Sequence, residues 1–295
     1  MRLSTSTNIA AFLPQPERKN GFDFCVELCA RAGYKVLDLN LCEAMNPYSR
    51  MRGDDWEKYV EDIAELGRRW GVEFAQSHLP YYDIFAPCDP EKKKLMEELI
   101  RRSIIASGRL GVKWAVTHPG TWYNAGPNVE KSLEKNVEYY SRHLKTAREA
   151  GTGIALENDF EYQGPPYQRI YAADVTALCE LVDAFNSPSM GVCYDFGHAN
   201  LTGGFHRENL RIIGRRLKAV HVQDNDLRHD DHILPFFGKT DWPEAMKGLA
   251  EVGYEGDLTF EVQEFARYMP NELKILAVEL SLKIGAYLLE LASLK

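Results

Sequence analysis

Six short apolar segments recur along the chain, and each runs into a side chain that can bind a metal or transfer a proton. These terminal residues are His78, His118, Glu157, Asp195, His221 and Glu261. Histidine and carboxylate side chains serve as metal ligands and as general acids or bases. A buried strand that ends on such a residue places its polar group at a sheet edge, where ligands bind. The recurrence predicts a set of strands whose ends meet at one site.

The segment from 190 to 200, MGVCYDFGHAN, shows the pattern most fully. Its apolar start predicts a buried strand, and Asp195 and His198 follow three residues apart. Gly197 is expected to let the backbone turn between them. The simpler alternative is a strand followed by an acidic turn, and only the other five segments favour a functional interpretation.

Helical patterns separate the predicted strands, and several of them end at a glycine, as helices commonly do. The first two strands are predicted at 2–7 and 35–39. The helices are predicted over 20–32, 54–70, 90–110, 129–150, 174 to just before 188, about 207–217, 241–252 and 271–294. Asp54 is the expected cap of the second helix.

Eight strand–helix units in 295 residues predict an α/β protein with one (β/α)8 TIM barrel spanning residues 1–295. Neither a low-complexity tract nor a linker interrupts the alternation. An open doubly wound sheet is the alternative. It would not bring the ends of strands three to eight into one ring, and no GxGxxG loop follows the first strand.

Composition narrows the class of protein and its partners. The net charge of −8 argues against a nucleic-acid partner, because such proteins usually carry basic surfaces. No apolar run is long enough for a membrane span, and the N-terminal segment does not resemble a secretory signal. The six cysteines form no CxxC pair, which is typical of buried thiols in a reducing compartment. We therefore expect a cytoplasmic protein without membrane contact.

Four of the terminal residues end consecutive strands, five to eight: Glu157, Asp195, His221 and Glu261. Neighbouring barrel strands would bring them to one point, where three carboxylates and an imidazole form a site for Mn²⁺, Mg²⁺, Co²⁺ or Zn²⁺. Mn²⁺ is the expected ion. The alternative is that the four cap helices or form salt bridges at the barrel rim.

A second set of residues should surround the same mouth as substrate contacts or as ligands of further metals. It comprises His78, His118, His198, Asp230 and His232. Each histidine alone could equally be an ordinary hydrogen-bonding residue. Aromatic residues in the loops could face a sugar or simply pack the loops. They are Tyr81, Phe85, Trp122, Phe236, Phe237 and Trp242.

Short motifs in series resemble the xylose isomerase-like TIM barrel superfamily. They are His118-Pro-Gly, Ala155-Leu-Glu157-Asn, Tyr194-Asp195-Phe-Gly-His198-Ala, His221-Val-Gln-Asp-Asn-Asp, Gly238-Lys-Thr-Asp-Trp242 and Phe260-Glu261. That superfamily holds sugar isomerases, ketose 3-epimerases, inosose dehydratases and type IV apurinic-site endonucleases. Each motif is weak alone, but together they run in family order across the whole chain.

The resemblance to ketose 3-epimerases implies a metal held by Glu157, Asp195, His221 and Glu261. It also implies that Glu157 and Glu261 act as acid and base, and that His198 contacts the substrate. Those enzymes carry an arginine six residues after the metal histidine. Here that position is Leu227 and the arginine is Arg228, one place later. The identity of the sugar is therefore open.

The resemblance to the endonucleases implies instead a three-zinc cluster, and this chain fills all nine ligand positions. They match His78, His118, Glu157, Asp195, His198, His221, Asp230, His232 and Glu261. The acidic charge, the aromatic loops and the Gly238–Trp242 motif favour the sugar enzymes. We expect a sugar isomerase or epimerase that works through a metal-stabilised enediolate. Its substrate would be a small sugar or sugar phosphate, and the protein would be a homo-oligomer.

Overall fold

The strands form a closed parallel barrel in which each pairs with the next along the chain and the eighth returns to the first. A computed structural model describes residues 1–12, 20–123, 126, 128–161 and 170–293. The strands are β1 (Arg2–Ser6), β2 (Val36–Asn40), β3 (Glu73–His78), β4 (Trp114–Thr117), β5 (Gly153–Glu157), β6 (Met190–Asp195), β7 (Leu217–Val222) and β8 (Asp257–Phe260). The predicted (β/α)8 TIM barrel is confirmed.

Helices follow the strands and surround the barrel. They are α1 (Phe22–Ala32), α2 (Trp56–Trp70), α3 (Pro90–Arg109), α4 (Val129–Ala150), α5 (Val175–Ala184), α6 (Phe196–Leu201), α7 (His206–Ile213), α8 (Trp242–Glu251) and α9 (Asn271–Ser293). The predicted last residue of the final helix, Leu294, lies outside the described residues. Within the described chain, no helix is long and apolar enough to cross a membrane.

Several predicted boundaries were wrong by a few residues. Asp54 does not cap α2, because the helix begins two residues later and Asp55 occupies the cap position without a side-chain hydrogen bond. β4 and β8 each end one residue before His118 and Glu261. The helix expected at about 207–217 covers only 206–213, because Gly214 ends it and a tight turn leads into β7.

The helix α6 was not predicted, because the sequence there suggested only a turn. Asp195 caps this helix by accepting a hydrogen bond from the backbone N–H of His198 at 2.7 Å. Gly197 therefore lies in a helix, not in a glycine-specific turn. A Cβ at this position would overlap the side-chain amide of Gln223, so the glycine provides space.

Two layers of packing hold the barrel. Small and medium apolar side chains, Val116, Ala155, Cys193 and Ala219, fill its axis above Trp114. A much larger apolar cluster lies between the strands and the surrounding helices. Toward the carboxyl ends of the strands the interior becomes polar, and this polar end carries the candidate site.

The buried imidazole of His206 predicts that the folded protein loses stability in acid. Burial lowers its pKa to about 4, its Nε2 has no hydrogen-bond partner in the described chain, and Nδ1 lies 3.1 Å from the Tyr194 hydroxyl. The unfolded chain takes up a proton here below about pH 6.5, whereas the folded chain does so only near pH 4. The free energy of unfolding is therefore highest above pH 6.5. It decreases as the pH falls toward 4, by up to about 3 kcal/mol.

We expect the His206→Gln variant to lose less of its free energy of unfolding between pH 6.5 and 4. Urea unfolding of both proteins with chelator present should show the stability of wild type falling more steeply than that of the variant between pH 6.5 and 4. A constant difference between the two proteins across this range would contradict the assignment.

Candidate metal centre

Four side chains on adjacent strands converge at the carboxyl end of the barrel. Glu157 ends β5, Asp195 ends β6, His221 lies in β7 and Glu261 directly follows β8. Asp195 and His221 are paired in register across β6 and β7. All four are buried, and one ligand atom from each lies within 4.8 Å of the others. Consecutive strands of a parallel barrel place their ends side by side, as the sequence pattern predicted.

His221 lies at the centre of this group, which we call the central group. Its Nδ1 is 2.7 Å from Glu157 Oε1 and 3.4 Å from Glu261 Oε2. Glu157 Oε2 and Asp195 Oδ2 are buried and make no hydrogen bond within the described part of the chain. Buried carboxylate oxygens without a donor are costly unless a cation is present. The donor set therefore fits a divalent ion that accepts oxygen and nitrogen ligands.

Two further groups of candidate ligands flank the central one. In the first, His78 and His118 approach the second oxygen of Glu157, with Nε2 atoms at 3.4 and 3.5 Å from Oε2. In the second, Asp230 Oδ2 lies 2.8 Å from His232 Nε2 and 3.4 Å from His198 Nε2. In each flanking group too, the ligand atoms lie within 4.8 Å of one another.

Backbone carbonyls orient three of these histidines. The Nδ1 atoms of His78, His198 and His232 lie 3.0, 2.8 and 3.0 Å from the carbonyl oxygens of Leu79, Asn158 and Glu261. A carbonyl only accepts, so each Nδ1 carries the hydrogen. Once it has lost its proton, each Nε2 can offer a lone pair to a bound metal, and such orientation is typical of metal-binding histidines.

The charges of the site are strongly interdependent. Burial alone would raise the pKa of Glu157, but the imidazoles of His221 and His118 bring it well below its usual value. Burial raises the pKa of Asp195 to about 7 against the charge of His198. Burial opposes protonation of His232, yet Asp230 raises its pKa to about 9. Without a metal, protons on imidazoles neutralise the carboxylates, so metal binding must release protons.

A cavity of about 1330 Å³ opens above this site. Six predicted site residues line it: His78, His118, His198, Asp230, His232 and Glu261. Glu157, Asp195 and His221 lie beneath its floor and are fully buried. Both exposed residues, Leu227 and Arg228, line the cavity, and Leu227 adopts a positive φ of 71°. The backbone at 227 thus changes direction just where the resembling enzymes carry their arginine.

Only one of the six loop aromatics, Tyr81, lines the cavity. The Trp122 ring packs against Phe85 at 5.7 Å, and its neighbours Thr121 and Tyr123 face the cavity. Phe237 contacts Phe265, and Trp242 is fully buried. The packing interpretation therefore describes these loops better than the sugar-stacking one, and contact of Trp122 with a substrate stays a prediction.

Sequence reasoning missed the role of Asp224. Its buried carboxylate accepts hydrogen bonds from the backbone N–H groups of Asn225, Phe236 and Thr240 and from Trp242 Nε1, at 2.9–3.0 Å. These bonds anchor the loop of residues 223–241, which carries Asp230 and His232. A Cβ at 238 would overlap this carboxylate, which explains the glycine there. The motif Asp-Asn-Asp followed by Gly-Lys-Thr-Asp-Trp was the available signal.

Gln223 was also missed, although it joins the central group to a flanking one. Its Nε2 donates to Asp195 Oδ1 at 3.1 Å and to Asp230 Oδ1 at 2.8 Å.

Two cysteines lie beside the site as well. Cys42 Sγ is 3.3 Å from His78 Nδ1, and the pKa of the buried Cys193 thiol is raised by burial to about 12.

Comparison with known proteins places this barrel in a family. A model described as xylose isomerase-like TIM barrel matches residues 26–278. The chain belongs to the xylose isomerase-like TIM barrel family. An uncharacterized protein of Methanocaldococcus jannaschii is 28% identical over 240 residues, covering 75% of this chain and 79% of that one. A protein of Geobacillus sp. named probable endonuclease 4 is 30% identical over 166 residues, covering 52% and 53%.

Two solved structures share the fold over almost the whole chain. A D-tagatose 3-epimerase-like protein superimposes with a TM-score of 0.75 at 23% identity, covering 99% of this chain and 98% of its own. The IOLI protein with a binding zinc atom gives a TM-score of 0.73 at 18% identity, with the same coverage. At these identities the similarity establishes the fold alone.

We expect Asp195→Asn and His221→Ala to lose metal while the barrel stays folded. Removing one of four ligands weakens binding strongly, whereas the apolar core lies elsewhere. Metal content after equilibration with Mn²⁺ or Zn²⁺, together with circular dichroism, tests this. Asp183→Asn is a matched control, because Asp183 forms an ion pair with Arg216 on the surface. Stoichiometric metal in both site variants would remove these residues from the ligand set.

Proposed function

We propose that this chain is a divalent-metal-dependent sugar epimerase or isomerase. The observation that carries the proposal is the central group, in which Glu157 and Glu261 both approach His221 Nδ1 beneath a cavity large enough for a sugar. Family membership and the fold shared with a D-tagatose 3-epimerase-like protein support it.

The ion would be held by Glu157, Asp195, His221 and Glu261, with Mn²⁺ the expected metal. Bound there, a divalent ion would stabilise negative charge on two neighbouring sugar oxygens. The unpartnered oxygens of Glu157 and Asp195 are the structural features that support this ligand set.

Glu157 and Glu261 are the proposed acid–base pair. Inverting a carbon beside a carbonyl requires one group to remove its proton and another to return a proton to the opposite face. The two glutamates are carried by β5 and by the end of β8, which β6 and β7 separate in the barrel. Neighbouring imidazoles hold the pKa of both carboxyls below its usual value despite burial. Both are therefore ionised in the free site, so one glutamate can accept the substrate proton, and the other can return a proton only after taking one up from solvent. His198 and His118, which line the cavity, are proposed to bind sugar hydroxyls.

The cavity wall favours a sugar over a nucleic acid. Among its described residues, six are acidic: Glu43, Asp83, Asp159, Glu161, Asp230 and Glu261. The basic ones are a single arginine, Arg228, and five histidines, with no lysine. Proteins that bind nucleic acids neutralise phosphates with lysine and arginine. The described cavity wall therefore lacks the cluster of lysine and arginine that usually contacts a phosphodiester backbone.

A second candidate is an apurinic-site endonuclease with three zinc ions. One specific observation favours it: the two flanking groups complete, with the central one, three adjacent sets of candidate ligands, and Glu157 belongs to two of them. All nine residues that the resemblance assigned to a zinc cluster therefore come together.

Metal stoichiometry separates these candidates. We expect purified protein equilibrated with Mn²⁺ or Zn²⁺ and then desalted to retain one tightly held ion per chain, measured by plasma mass spectrometry. Three retained zinc ions together with cleavage of an abasic-site duplex, and no turnover of any sugar, would favour the endonuclease.

Isotope exchange tests the proton transfer. Turnover of a panel of ketoses in D₂O should place deuterium on the product carbon, because a carboxylate exchanges its proton with solvent. Glu157→Gln and Glu261→Gln should each lower kcat by at least about 10²–10⁴-fold, since a glutamine cannot transfer the proton. Mass spectrometry of the product and initial rates provide the measurements.

Glu264→Gln is the matched control, since Glu264 follows the same strand but pairs with Arg267. Its rate should equal that of wild type. Turnover without deuterium in the product would indicate a hydride shift, or a proton transfer that is shielded from solvent.

A further inference from the structure

His221 is held differently from the other oriented histidines of the site. His78, His198 and His232 each donate Nδ1–H to a backbone carbonyl and direct Nε2 to the cluster. His221 is reversed, with Nδ1 toward Glu157 and Glu261 and Nε2 toward the side chain of Gln76. Its orientation therefore depends on a side chain instead of a carbonyl.

The position of the hydrogen on the His221 ring determines which group Gln76 must present to it. In the metal-free arrangement, Nδ1 of His221 lies 2.7 Å from Glu157 Oε1, and Nε2 lies 2.9 Å from the Gln76 amide nitrogen. A metal ligand needs a lone pair at Nδ1, so a neutral imidazole must then carry its hydrogen on Nε2. Two N–H groups would face each other unless the Gln76 amide turns over and presents its oxygen.

A partner for the turned amide lies on the next strand. Asp38 is paired with Gln76 in register across β2 and β3, and it is fully buried. Its carboxylate oxygens make no hydrogen bond in the described residues, although the likewise unpartnered hydroxyl of Ser6 lies in register with it on β1. An unpartnered carboxylate inside a barrel needs a donor, and the NH₂ group of a turned Gln76 is placed on the neighbouring strand to supply one.

We propose that Gln76 is a positioning residue for the metal centre: its side-chain oxygen accepts Nε2–H of His221 when metal is bound, and its NH₂ group donates to Asp38. The chain of contacts would run from Asp38 through Gln76 and His221 to the metal. This assignment rests on the proposed metal site but requires no particular substrate or reaction.

Cys193 also lies beside His221, with its sulfur within 4.8 Å of a ring nitrogen. A thiol sulfur is only a weak hydrogen-bond acceptor. It does not substitute for the amide oxygen. Losing the acceptor should therefore weaken metal binding by about 10–100-fold, the usual effect of removing such a partner.

The first test measures metal affinity in the absence of sugar. Competition between the protein and a chelator for Co²⁺ should give a dissociation constant about 10–100-fold higher for Gln76→Met than for wild type. Ser77→Ala is the control. Ser77 lies on the same strand, and its side chain forms a buried hydrogen bond with Ser107 of α3, which the variant lacks. Its affinity should match that of wild type. An unchanged affinity in Gln76→Met would overturn the proposal.

An exchange of groups tests the pairing with Asp38. In Gln76→Glu, two carboxylates face each other, and affinity should fall. Combining Gln76→Glu with Asp38→Asn restores one acceptor for His221 and one donor between the two positions, so affinity should recover to within a few-fold of wild type. A double variant as weak as the worse single variant would refute the pairing.

The tautomer of His221 tests the proposal in unmodified protein, even where Gln76→Met does not fold. Long-range ¹H–¹⁵N spectra of ¹⁵N-histidine-labelled protein with Zn²⁺ should show the His221 hydrogen on Nε2, assigned with His221→Ala. A hydrogen on Nδ1 would overturn the assignment. A wild-type protein that binds neither Co²⁺ nor Zn²⁺ would remove the metal centre and this proposal together, whereas failure to turn over sugars would affect only the proposed reaction.

Discussion

Carboxylates buried beside one another must be neutralised, and this requirement governs the mouth of the barrel. Glu157, Asp195 and Glu261 are withdrawn from water within a few ångströms of one another. Imidazoles supply the compensating charge. Hydrogen bonds behind the ring fix all of them except His118, whose Nδ1 has no partner in the described residues. The polar end of the barrel is thus stable only as a unit, since removing one partner leaves another buried charge without compensation.

The apolar framework and this polar unit are built separately. Strand pairing and the helix-facing core fix the positions of the strand ends, independently of the residues at the mouth. Loops then add side chains, and their precision comes from buried polar anchors such as Asp224. The interactions within the site stabilise the folded chain only when its charges are balanced. The rigid barrel and the anchored loops can hold the site in place even when they are not.

The sequence predicted the barrel and the convergence of Glu157, Asp195, His221 and Glu261, because strand order and strand ends follow from periodicity and glycine stops. It did not predict α6, since a capped helix of six residues has almost no periodic signal. Gln76 and Asp38 were missed because a polar residue inside a strand resembles any other until the register places its neighbours. Asp224 was missed because its partners are backbone groups of a loop, which leave no periodic pattern. The single domain, the homo-oligomer and the cytoplasmic location stay predictions.

The loop of residues 223–241 places Asp230 and His232 at the site, while the central ligands come from strand ends. Because one carboxylate, Asp224, holds this loop in place, the loop is a replaceable module. Exchanging this one segment would replace Asp230 and His232 together, and with them Gln223, whose amide reaches Asp195 of the central group. The number of metal ions that such a barrel can hold therefore depends on a single loop.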